Sequence, residues 1–187
     1  MTVDTSNLGK FYIAGQWVAP RSQANMPVSN PANERQIGIV PLGDAADVDA
    51  AVAAAVLAFP AYSQTGKSER VALLQSLMKV TQSRFEDLAQ AMRMEMGAPI
   101  TMARDAQADA AIGHLQGFMD ALAELVERET LSNGDLLLRE PIGGCGLIPP
   151  WTWPMTQIAL KVIPALATGC CCVLKPSEHT PISAMIY

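Results

Sequence analysis

The chain has 187 residues, 50% of them apolar and 17% charged, a composition that excludes disorder and points to a packed globular protein. Its formal net charge of -5, with no run rich in lysine or arginine, lacks the basic footprint of a nucleic-acid-binding protein. The opening residues MTVDTSNLGK contain no apolar core of a signal peptide, so secretion is not expected.

Phe11 to Val18, FYIAGQWV, places aromatic and β-branched residues around Gly15 and predicts a two-stranded hairpin with Trp17 packed on its inner face. Pro27 to Pro31 reads as a turn-rich connection, and Gln36 to Val40 as a short strand. A helix is expected from Asp44 as N-cap, helped by Asp47, with Val48, Val52, Val56 and Phe59 as its apolar face and Pro60 as its limit. Ser68 to about Met96 continues as helix, its buried stripe marked by Val71, Leu74, Leu77, Met78, Phe85, Leu88 and Met92. Gly97 and Pro99 stop it. A further helix runs from near Thr101 to about Val126 through Ala108, Ile112, Leu115, Met119 and Leu122. Glu124, Glu127, Arg128 and Glu129 read as its solvated end, and His114 as structural. Asn133-Gly134-Asp135 is a turn signal before a strand from Leu136 to Pro141. An edge strand away from the main sheet needs covering, which another subunit can provide.

Near Gly143 the character changes from helices with polar faces to nearly uncharged elements, as in a parallel sheet covered on both sides. Pro141 to Leu160 carries no charge, yet its four prolines and three glycines make it a poor membrane helix, and no membrane partner is expected. Cys145 and the run Cys170-Cys171-Cys172 have no metal-ligand spacing. They are expected to be free, buried thiols in a reducing, cytoplasmic setting, with no metal.

A short apolar segment ends at Pro149-Pro150-Trp151, an apolar helix starts near Met155, and a second strand, Cys170 to Leu174, ends at Lys175. This is the layout of a strand, a crossover helix and a parallel strand. Pro164 should interrupt the helix's regular hydrogen bonding and Gly169 should end it. Ligands in such sheets sit beyond the carboxyl ends of the strands. Gly143, Gly144 and Gly146 meet neither the dinucleotide fingerprint nor the P-loop spacing, and permit close backbone approach. Ile148 to Pro154 reads equally as a packed turn and as a ligand-contacting loop. Lys175 and Glu178 can exchange hydrogen bonds with the two hydroxyls of a ribose, or can simply pair with each other at the surface.

FYIAGQWV, VSNPA, EMGAP, EPIGGCGLIPPWTWPMTQIALKVIPALATG and VLKPSEHTP together resemble the NAD(P)-dependent aldehyde dehydrogenase superfamily, from about residue 11 to the end. The resemblance implies an α/β fold: an incomplete Rossmann-like parallel sheet preceded by a β-hairpin and several helices. Residues 1–127 would form the hairpin and the helical part of the coenzyme domain, 128–142 a β segment for homo-oligomerisation, and 143–187 the start of the NAD-binding core. The implied reaction is oxidation of a small-molecule aldehyde to a carboxylic acid, through a cysteine thiohemiacetal, hydride transfer to the nicotinamide and glutamate-assisted hydrolysis of a thioester.

The same likeness assigns Lys175 and Glu178 to the adenosine ribose, and Ile148, Pro149, Pro150 and Trp151 to the wall of the coenzyme cleft. A carboxylate at Glu178 implies NAD rather than NADP, since it accepts from a free 2′-hydroxyl but repels a 2′-phosphate. Thr152 stands where the family usually has the asparagine that steadies the oxyanion, and is expected to impair turnover. The family's nucleophilic cysteine and general-base glutamate have no counterpart here, so the chain is expected to be an N-terminal portion without activity of its own. Two other readings stand beside this one: a noncatalytic nucleotide-binding or oligomer-forming piece, and one half of an enzyme encoded in two parts.

Overall fold

Strands β1 (Phe11–Ile13) and β2 (Gln16–Val18) form an antiparallel hairpin in the computed structural model, which describes residues 3–187. Ala14 and Gly15 both have positive φ, as a tight hairpin turn requires. Trp17 is not on an inner face: it is exposed and lies against Tyr12, with ring centroids 5.1 Å apart. β3 (Asn25–Ser29) pairs antiparallel with β4 (Gln36–Pro41), so part of the expected turn at Pro27 to Pro31 is strand. Pro27 is tolerated because the sheet has only two strands and its missing N–H weakens no central ladder.

Helix α1 (Ala45–Tyr62) begins as expected: Asp44 accepts from the Ala46 and Asp47 amides, and Asp47 accepts in return from the Asp44 amide. Asp47 also receives the Arg21 and Ser22 amides at 2.8 and 3.2 Å, and these backbone donors hold its carboxyl below the usual range. Pro60 lies within the last turn and does not end the helix before Tyr62. The expected apolar face is a correction: Val48, Val52 and Val56 are exposed, with Leu57 at 84%, while Ala55 is buried. Small residues let α1 approach the sheet closely, and a Cβ on Gly144 would sit 3.9 Å from that of Ala55. By length and composition alone α1 is apolar enough to cross a membrane.

The long helix expected after Ser68 is two, α2 (Lys67–Ser83) and α3 (Phe85–Glu95), because Arg84 leaves the helical region at φ -103 and ψ 11. Gly97 ends this part with φ +77, and a Cβ there would lie 2.7 Å from Pro31 Cγ. The next helical run is divided as well: a short turn α4 (Ile100–Met102), a π-helical stretch (Ala103–Ala108) and α5 (Asp109–Glu124). Leu74, Leu88, Met92, Leu115, Met155 and Ile163 form the main core, contributed by α2, α3, α5 and α6 (Pro154–Ala167).

Two charged residues depart from the expected pattern inside this core. Arg70 is only 4% exposed; its Nη1 donates to the Ala167 carbonyl at 3.1 Å and its Nη2 pairs with Glu127. Glu127, expected at a solvated helix end, is therefore tied to the end of α6, where a cation complements the free carbonyls. Gly169 follows with φ +84, hemmed in by Pro141 Cγ at 2.8 Å and Arg70 Nη1 at 3.3 Å from a hypothetical Cβ. The second residue is Glu95, described below.

β5 (Arg128–Thr130) and β6 (Leu136–Leu138) form a separate antiparallel hairpin, and every residue in both is exposed. β7 (Gly144–Leu147) and β8 (Cys171–Leu174) are parallel and joined by α6, which is the expected strand, helix, strand unit. Pro164 lies inside α6, which continues past it to Ala167, and Leu160 is exposed. α7 (Pro181–Ile186) closes the described chain.

Candidate coenzyme and oxyanion site

The parallel register pairs Gly144 with Cys171 and Leu147 with Leu174, so β7 and β8 end level with one another. The Lys175 amide donates to the Leu147 carbonyl at 2.9 Å, carrying the ladder one residue further. The two loops that leave these strands therefore start side by side. They are also stitched together, because the Thr180 hydroxyl donates to the Trp151 carbonyl at 3.2 Å.

In the first loop Pro149 is buried, while Ile148, Pro150 and Trp151 are exposed and Thr152 is half-buried. Trp153 precedes α6 with φ 49 and ψ 53, a left-handed conformation that is rare for a bulky residue. Pro154 at the first helical position suits this start, having no N–H to leave unpaired. Such strain persists only where the surroundings impose it, and here it lies directly after Thr152.

In the second loop Lys175 Nζ lies 3.1 Å from Glu178 Oε2, with side chains 61% and 38% exposed. Its own backbone amide, and then the Lys175 ammonium, hold the Glu178 carboxyl below the usual range, so it is an anion at neutral pH. An exposed pair of this kind contributes only about 0.2–1 kcal/mol. Both groups are thus free to exchange the ion pair for hydrogen bonds to a diol. Ile148, Pro149, Pro150, Trp151, Lys175 and Glu178 all gather at the carboxyl ends of β7 and β8, as does Thr152.

The thiols do not join them. All four are free, but only Cys170 is buried; Cys145, Cys171 and Cys172 are half-buried, which corrects the expectation of four buried thiols. The sheet has only two strands, which leaves part of each face uncovered. Burial pushes Cys172 up to about 11 and raises Cys145 and Cys171. Burial also acts on Cys170, but hydrogen bonds from Thr168 and from the Gly143 and Ile142 amides outweigh it and lower that thiol. Cys170 lies before β8, at the end of the strand away from Thr152. Among the described residues no cluster of histidine, cysteine and carboxylate side chains suits a metal ion.

Two residues at the site escaped the sequence reading. Thr180 had no signal beyond its place before Pro181. Glu95 had one: it continues the spacing of Leu88 and Met92, so a carboxylate stands in the register of a buried stripe.

The model of the aldehyde dehydrogenase family matches residues 17–187. The chain belongs to the aldehyde dehydrogenase family. It is 44% identical over 178 residues to a 3-succinoylsemialdehyde-pyridine dehydrogenase from a Pseudomonas species, covering 95% of this chain and 37% of that protein. Aldehyde dehydrogenase C from Pseudomonas syringae, solved as a mutant with NAD+ and octanal, is similar at TM-score 0.95 and 45% identity over 99% of this chain and 38% of that one. An NADP dependent enzyme of E. coli is similar at TM-score 0.89 and 31% identity, over 99% of this chain and 40% of that one. The chain thus spans 37–40% of the length of these three proteins. NAD+ and NADP both occur in the descriptions of structures with this fold.

Proposed function

We propose that this chain supplies the adenosine-ribose side of the coenzyme cleft in an enzyme that oxidises an aldehyde to a carboxylic acid with NAD. The observation that carries the reading is the exposed Lys175 and Glu178 pair at the shared carboxyl ends of β7 and β8. An ammonium donor and a carboxylate acceptor 3.1 Å apart suit adjacent ribose hydroxyls, and the anionic Glu178 disfavours a 2′-phosphate. Ile148, Pro150 and Trp151 would offer apolar surface beside the bound coenzyme, with Pro149 buried beneath them. NAD supplies the hydride acceptor; the residues of this chain bind and orient it and, at Thr152, present one hydroxyl to the reacting oxygen.

The chain alone is proposed not to turn aldehyde over. Covalent catalysis needs a reachable thiolate beside an activating partner, and the one thiol with a lowered pKa, Cys170, is buried before β8. Calorimetry with NAD is expected to show weak binding that Lys175→Ala weakens about tenfold or more, the loss of a charge-assisted hydrogen bond. Equal affinity in the variant would sink the ribose assignment, and NADH formation from aldehydes above a heat-killed control would sink the inactivity.

The hairpin at 128–142 supports association with a second copy. Leu136 and Leu138 are exposed on one face of β6, and among the described residues β6 pairs only with β5, leaving an edge for strand addition. Sedimentation velocity is expected to show a dimer or larger species that dissociates when Leu136 and Leu138 are both changed to lysine. A wild-type chain that stays monomeric at every concentration would contradict this.

A further inference from the structure

Glu95, the last residue of α3, is 4% exposed and far from either strand end in sequence, yet it touches the segment that follows β8. Its Oε2 accepts from the Ile182 amide at 2.5 Å and its Oε1 from the Ser183 amide at 2.9 Å. These amides open α7, where the first N–H groups of a helix have no acceptor of their own. Ile182 and Ser183 are 1% and 0% exposed, so water cannot take the place of the carboxylate.

The neighbour of this anchor is Thr180, itself 2% exposed, whose hydroxyl holds the Trp151 carbonyl. A continuous path of hydrogen bonds and three residues of backbone therefore runs from α3 through Glu95 to α7, to Thr180 and to the loop after β7. Lys175 and Glu178 lie on the same segment, between β8 and this doubly fixed point. Without Glu95, the segment from residue 175 to residue 183 would keep its start on β8 and the Thr180 bond to Trp151 but lose the hydrogen bonds that tie its far end to α3.

We propose that Glu95 is a positioning residue for the coenzyme-contacting loops: its carboxylate fixes the start of α7 and, through Thr180, the relation between the loops that follow β7 and β8. Its effect on NAD rests on the assignment of Lys175 and Glu178 given above; its effect on the loops does not.

Amide hydrogen exchange and NAD calorimetry on this chain, as wild type, Glu95→Gln and Glu95→Ala, test the two parts separately. At about pH 8, where Glu95 is ionised, both its oxygens accept, whereas Glu95→Gln keeps the shape and one acceptor oxygen but turns an amide N–H group toward one of the two backbone donors. Exchange at Ile182 and Ser183 is expected to quicken at least tenfold in Glu95→Gln and further in Glu95→Ala. Faster exchange should extend through residues 175–180, while Leu115 and Ile163 in the main core keep their protection. NAD affinity should fall in the same order. Wild-type protection across residues 175–183 in both variants would overturn the inference, and so would a uniform loss of protection over the whole chain in Glu95→Gln. If wild type does not bind NAD, the coenzyme assignment fails and the exchange results still decide the role of Glu95.

Discussion

Changing Thr152 to asparagine is expected to raise kcat about a hundredfold in a full-length aldehyde dehydrogenase carrying this N-terminal part, the effect of regaining one oxyanion donor. A threonine hydroxyl is one donor on a short stem; an asparagine side chain reaches an atom further and carries two N–H donors. Thr152 is only half-buried, so a side chain of similar size costs little packing, and the backbone that presents it is held by Pro149, Pro150 and the left-handed Trp153. A donor acting only on the developing oxyanion should change kcat and kcat/KM together and leave NAD affinity alone. Steady-state kinetics of the two proteins check this, and equal kcat values would remove Thr152 from the account of turnover.

The second large effect is a dependence of stability on pH that originates in Glu95. Burial is the dominant cause of its raised pKa, opposed by the hydrogen bonds from Ser183 and Ile182, and it pushes the carboxyl from 4.5 up to about 7. Below 4.5 the group is protonated in both the folded and unfolded chains, and the favourable contribution is complete. As pH rises from 4.5 to about 7 the unfolded chain gives up the proton while the folded chain keeps it, so stability is lost across that window. Above it both forms are ionised and the loss is whole, about 3 kcal/mol. Glu95→Gln cannot ionise. The difference in urea-unfolding free energy between wild type and Glu95→Gln should therefore move by about 3 kcal/mol toward the variant between about pH 4 and about pH 8. His179 shares a cavity wall with Glu95 and is common to both proteins, so the subtraction isolates the carboxyl. A difference that stays flat over that range would show that Glu95 titrates normally.

Local order was legible wherever it depends on residues close in sequence. The Asp44 and Asp47 box, the Gly15 turn, the Asn133-Gly134 turn and the stops at Gly97 and Gly169 all follow from backbone preferences within a few residues. The parallel unit from β7 to β8 was legible for a related reason: two short uncharged runs joined by an apolar helix have few other ways to bury themselves. The errors fall where neighbours decide. The valine stripe of α1 satisfies helical periodicity, but periodicity does not say which face meets the sheet, and the alanine face does. Pro60, read as the limit of α1, stands two residues before its end, and Pro164, which has no N–H to give to the ladder of α6, is accommodated within that helix. Glu127 was read as a solvated charge, but its partner Arg70 lies 57 residues away in sequence.

The site divides in the same way. Thr152, Lys175 and Glu178 could be named from the sequence, because each follows directly on an apolar segment whose end faces the crevice. The resemblance to aldehyde dehydrogenases, now shown, gave them their expected roles. That Lys175 and Glu178 pair with each other, that Thr180 ties their loop to Trp151, and that Glu95 closes the arrangement from α3 are matters of tertiary structure alone. The physical reason is that a helix or turn is chosen by interactions within about one turn of the chain, whereas the partner of a buried charge is chosen by whatever unpaired group packing brings beside it. Glu95 and the amides of Ile182 and Ser183 are separated by 87 and 88 residues, and only the folded chain brings them together.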